Sequence, residues 1–166
     1  ASANCARYCG AQVDFVDVEP ETGNLCVAAL REKLQGVQGS PRQPRALVAV
    51  HLAGQPCDLA EIGALCRQYG IHLIEDACHA LGASYQDAPI GSCAHSDMTV
   101  FSFHPVKPIT TGEGGAVTTR DAALAAKLAH APRHQGPGQP LGQSGMQGQR
   151  IAVADLDMGG AGDAVE

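Results

Sequence analysis

The sequence predicts an α/β protein of three layers, a mostly parallel sheet flanked by helices. The continuous apolar run Ala46–Val50 has the length of a strand buried on both faces, and Ile71–Ile74 reads as the next buried strand. An amphipathic stretch of helical spacing lies between them, and strand, helix, strand with short loops is the signature of parallel pairing. The residues are 45% hydrophobic but only 4% aromatic, so Ala, Val, Leu and Ile must build the core. That balance favours layers of helix on sheet over a β-sandwich.

Element by element, Gln12–Val18 reads as a strand ending in acidic residues, and Pro20-Glu-Thr-Gly-Asn24 as a turn. Leu25–Leu34 carries apolar residues at helical spacing (Leu25, Ala29, Leu30, Leu34). A polar loop, 36–44, leads into the strand 46–50. Asp58 stands at an N-cap with Glu61 three residues on, the pattern of a capping box, and a helix runs from there to Tyr69. Gly70 closes it. Ile71–Ile74, Met98–Phe103 and Gly115–Thr119 follow as strands, and Asp121 caps an Ala-rich helix to about His130.

Composition narrows the function. The length of 166 residues fits one domain. A net charge of -6 disfavours nucleic acid or an anionic membrane surface as partner. No run of residues has the length and hydropathy of a membrane span, and no cationic, apolar leader opens the chain. The first residue is Ala1, which suggests a missing start. The seven cysteines (5, 9, 26, 57, 66, 78 and 93) are an odd set and mostly replace Ala or Ser in apolar runs. They read as reduced, buried thiols of a cytoplasmic protein. A zinc site from Cys78, His79, Cys93 and His95 is disfavoured, because no Cys-x-x-Cys pair is present.

Ligands of open α/β sheets bind beyond the carboxyl ends of the strands, which directs attention to Glu75-Asp76. Asp76 is placed either to hold a cationic ligand atom or to cap the next helical segment. Lys107 is one of three lysines, and the other two (33 and 127) lie on predicted helices. A lysine in a partly desolvated pocket can bond to a carbonyl carbon; the alternative is a solvated loop lysine. Ser102 and Thr110-Thr111 could hydrogen-bond a phosphate. Gly112-Glu-Gly-Gly115 is no nucleotide fingerprint and serves equally as a turn into the strand 115–119.

The order and spacing of these segments say more than any one of them. Glu75-Asp-Ala-Cys-His-Ala-Leu-Gly-Ala83, Ile90-Gly-Ser92 and Phe101-Ser-Phe-His-Pro-Val-Lys-Pro-Ile-Thr-Thr-Gly-Glu-Gly-Gly-Ala-Val-Thr-Thr119 closely resemble the DegT/DnrJ/EryC1/StrS sugar aminotransferases. These are pyridoxal 5'-phosphate (PLP) enzymes of the aspartate aminotransferase fold type. The resemblance spans about residues 1–130 and includes Asn4-Cys-Ala-Arg-Tyr-Cys-Gly10, Val13-Asp-Phe-Val-Asp17 and His51-Leu-Ala-Gly54.

It implies a role for each site residue. Lys107 matches the lysine that bonds to PLP and later carries a proton between substrate carbon and cofactor. Asp76 matches the carboxylate paired with the pyridine nitrogen, which keeps the ring an electron sink. His79, three residues on, matches the residue beside the ring near its 3-hydroxyl. Ser102 matches the serine that donates to the PLP phosphate. The glycines 112, 114 and 115 imply tight packing near the site. A minority of the family are dehydratases with histidine at the lysine position; Lys107 therefore favours transamination.

The implied reaction moves an amino group from L-glutamate to the 4-keto carbon of a UDP-linked deoxysugar of pseudaminic acid type. The alternatives are another nucleotide-sugar transaminase, of lipid A or antibiotic-sugar type, or a truncated, inactive remnant. The family also implies a homodimer, a preceding segment with a Gly-Thr phosphate-binding turn, and a following small domain. Residues 1–131 are accordingly expected to be part of the PLP-binding large domain. Residues 132–166 hold eight of the 20 glycines and five glutamines, and are expected to form a low-complexity tail from a shifted reading frame.

Overall fold

A computed structural model describes residues 2–130 and the backbone of 150–152. Helix α1 spans Ser2–Tyr8, α2 Val27–Val37, α3 Leu59–Tyr69 and α4 Ala122–His130. The main sheet holds β1 (Ala46–Val50), β2 (His72–Asp76), β5 (Met98–Ser102), β6 (Gly115–Thr119) and β7 (Arg150–Ala152), side by side in that order. A small hairpin, β3 (Ser84–Tyr85) with β4 (Ala88–Pro89), stands apart and turns on Gln86 and Asp87, both at positive φ. No sequence signal marks this hairpin, since neither turn residue is glycine. In the main sheet β1, β2 and β5 are parallel, β6 is antiparallel to β5, and β7 is antiparallel to β6. Four of the five strands therefore run the same way, which is the predicted architecture.

Helix α3 forms where its end signals lie. Asp58 Oδ1 accepts from the Glu61 amide, and Gly70, in the left-handed conformation, donates back to the Arg67 carbonyl. Its buried stripe (Ile62, Leu65, Cys66, Tyr69) packs with Leu30 and Leu34 of α2 over Ala49 and Leu73 of the sheet. A second apolar cluster joins Leu59, Ala77, Ala80, Ile90, Phe101 and Ala116. Asp121 Oδ1 caps α4 by accepting from the Ala123 and Leu124 amides, and α4 packs on β6 and β7.

Several boundaries differ from the sequence reading. Among the described residues, 12–17 pair with no strand, and Val18 makes a single bridge to Leu25. Side chains take the place of a ladder: Lys33 Nζ donates to the Phe15 carbonyl, while Asp14 and Asp17 accept from the amides of the residues after them. That bridge holds Leu25 extended, so α2 begins two residues later than expected and runs to Val37. Strand β2 starts at His72, because the Ile71 amide closes α3 by donating to the Cys66 carbonyl. It continues through Glu75 and Asp76, because β1 and β5 pair with it on both sides as far as Asp76. Strand β5 stops at Ser102, where the Phe103 amide turns to the Gly114 carbonyl. The cysteines are free, but Cys5 and Cys9 are exposed and Cys26 and Cys78 half-buried, so the expectation of buried thiols holds only for Cys57, Cys66 and Cys93. The predicted tail lies outside the described residues except for β7, which shares Ile151 and Ala152 with the short apolar run 151–153.

Candidate active site

Strand alternation divides the end of the sheet into two chemically different faces. Glu75, Thr99 and Phe101 point to the packed side; Asp76, Val100 and Ser102 share the other face, by the register Asp76↔Val100. Asp76 is the last residue of β2 and Ser102 the last of β5, so both predicted site residues stand at adjacent carboxyl ends.

Asp76 is held as an anion. Its Oδ1 accepts from the Cys78 amide at 3.2 Å and its Oδ2 from the Ser2 hydroxyl. Burial pushes its pKa up, but the hydrogen bonds from Cys78 and Ser2 and the nearby Lys107 charge outweigh burial and leave it below the ordinary carboxylate value. The Cys78 thiol is pushed up to about 12 by burial and by Asp76, so it stays protonated and is no nucleophile. Residues 77–80 form a turn closed by the Ala80 amide on the Ala77 carbonyl.

That turn presents His79, whose Nε2 lies 3.2 Å from Lys107 Nζ. Lys107 rides on the loop 103–114, tied at its base by Phe103 N–H to the Gly114 carbonyl (2.7 Å) and Thr111 N–H to the Phe103 carbonyl (3.1 Å). Gly114 has φ +146, and a Cβ there would stand 2.7 Å from Thr111 Oγ1. The expected tight packing therefore falls on Gly114. Val106 and Ile109, on either side of the lysine, are exposed apolar residues. Ser102 Oγ accepts from the His104 amide at 3.4 Å, which leaves its hydroxyl proton for another acceptor.

The structure thus joins His79 and Lys107 directly, sets Lys107 close enough to Asp76 to lower its pKa, and puts Ser102 on the neighbouring strand end. Ser2 lies in a segment that carries the family resemblance, yet nothing in the sequence gives it a role; a contact across 74 residues leaves no local trace. Cys93, weighed as a zinc ligand, instead lies buried against Thr99 and Thr118.

An open α/β sheet with an anionic carboxylate, a lysine and a histidine gathered beyond its strand ends has the donor set of a fold type I PLP-dependent transferase. The chain belongs to the DegT/DnrJ/EryC1/StrS aminotransferase family, whose sequence model matches residues 1–150. It is 42% identical over 128 residues to the UDP-4-amino-4,6-dideoxy-N-acetyl-beta-L-altrosamine transaminase of Campylobacter jejuni, covering 77% of this chain and 32% of that protein. Over 128 residues it is 44% identical to the GDP-perosamine synthase of Caulobacter vibrioides, with the same coverage, 77% and 32%. The solved structure of DesI with its TDP-sugar product aligns with a TM-score of 0.67 at 36% identity, over 76% of this chain and 30% of that one. The chain spans about a third of the length of the curated relatives it matches.

Proposed function

We propose that this chain carries the central catalytic segment of a PLP-dependent nucleotide-sugar aminotransferase, with residues 1–131 as part of its large domain. The observation behind this reading is the contact of Lys107 with His79 beside the anionic Asp76 at the end of β2. PLP bound there supplies an electron sink for charge developing at the carbon that gains or loses the amino group.

The residues do the rest. Asp76 offers an anionic oxygen to a protonated ring nitrogen, and its donors Ser2 and Cys78 keep it ionised and fixed. Lys107 Nζ moves the proton, held in reach by His79 Nε2. Ser102 donates its hydroxyl to a phosphate oxygen. The amino donor is L-glutamate and the acceptor the 4-keto carbon of a UDP-linked deoxysugar of pseudaminic acid type, in a cytoplasmic homodimer; the altrosamine transaminase relative supports the UDP-linked 4-amino-dideoxysugar alone. The perosamine synthase relative, at a similar identity, favours a GDP-linked keto sugar as the second reading.

Adding PLP to the purified chain should produce an absorption band in the visible, and Lys107→Ala should abolish it. No band with the intact chain would leave an inactive remnant as the correct reading. Formation of 2-oxoglutarate from L-glutamate, with UDP- against GDP-linked keto sugar, then separates the two substrates.

A further inference from the structure

The turn 51–57 lies behind the candidate site and enters none of the roles above. Its first residue, His51, is fully buried at 0% exposure. The Cys57 amide donates to its Nδ1 at 3.1 Å, so the ring proton sits on Nε2, which donates to Glu75 Oε2 at 2.9 Å. Glu75 Oε1 accepts from the Ser96 and Thr99 hydroxyls as well. The His51 amide donates to the Asp76 carbonyl at 3.1 Å. One residue therefore grips the last two residues of β2, Glu75 by its ring and Asp76 by its main chain.

Two residues further on, Ala53 (φ +54) and Gly54 (φ +88) are both left-handed. For Ala53, which carries a Cβ, this conformation is strained, and such strain persists only where the surroundings enforce it. Asn24, itself buried, enforces it: Oδ1 accepts from the Leu52 amide, and Nδ2 donates to the Gln55 carbonyl. The strain brings Gly54 beneath the site turn. A Cβ on Gly54 would stand 2.9 Å from the His79 carbonyl oxygen, so any other residue must push that turn away.

We propose that His51 and Gly54 are positioning residues, which set Asp76 and His79 against Lys107, with the strain at Ala53 retained to hold them there. The value of this for catalysis rests on the PLP reading, but the contact itself exists without cofactor and can be measured without it.

The test is the ring nitrogen NMR signal of His79 in the cofactor-free chain, with Lys107→Met as reference for a His79 without its partner. Gly54→Ala should move the His79 signal to the reference position while the His51 ring signals stay. His51→Asn keeps an acceptor for the Cys57 amide but is too short for Glu75, and should move His79 likewise. His51→Gln reaches Glu75 and should restore the original position. The proposal is overturned if Lys107→Met leaves His79 unmoved, or if His79 keeps its position in Gly54→Ala or His51→Asn. Should Gly54→Ala fail to fold, as its amide spectrum would show, the His51 pair decides: equal His79 signals in Asn and Gln variants sink the idea. A PLP band that never forms, with these shifts as expected, defeats the cofactor reading alone.

Discussion

Glu75 and Asp76 are neighbours in sequence and opposites in surroundings. Glu75 is 2% exposed, on the packed face, and receives three side-chain donors: His51, Ser96 and Thr99. Asp76 faces the open side and receives Ser2 and Cys78, with Lys107 close by. Both carboxyls sit below their ordinary pKa although burial pushes each the other way, because the donors outweigh burial. The same device serves two purposes. On the packed face a fully satisfied anion fixes the strand end; on the open face the anion is available to a ligand.

The contrast can be broken most sharply on the packed side. Glu75→Leu leaves the buried His51 ring without its acceptor and takes one from the Ser96 and Thr99 hydroxyls, and should cost about 3 kcal/mol of stability, read as a lower urea midpoint. If the midpoint does not move, Glu75 does not anchor the strand end. Acid should act on both residues together. A lowered folded pKa contributes stability above the unfolded value and loses it as pH falls through the folded one. The urea midpoint should therefore fall from the ordinary glutamate value of 4.5 downward, and Glu75→Gln should flatten that acid limb. Asp76→Asn should do least to stability, within about 1 kcal/mol, yet weaken the PLP band; an unchanged band would remove Asp76 from the cofactor site.

Much of the fold was legible in the sequence wherever the signal is local. Helix α3 announces its ends through Asp58 and Gly70, and β1 and β6 occupy the residues assigned to them, because a short run between turns marks a strand; β1 is however the sheet's edge, with Ala46 and Val50 exposed, so the expected burial on both faces fails there. Residues 12–17 show the limit. A strand-like run makes a strand only when a partner ladder is available, and here Lys33, Asp14 and Asp17 satisfy that backbone instead. The site divides in the same way. Asp76, His79, Ser102 and Lys107 are marked by the family resemblance of the segments that carry them, whereas Ser2, His51 and Gly54 acquire roles only through contacts with residues far along the chain.

The sequence by itself determined β1, β6 and the ends of α3 and marked the candidate site residues, since apolar runs, caps and side-chain type are local properties. Only the tertiary structure decided which carboxylate is sealed and which is offered. That choice depends on strand register and on a turn 24 residues earlier, whose histidine meets Glu75 at 2.9 Å once the sheet has paired.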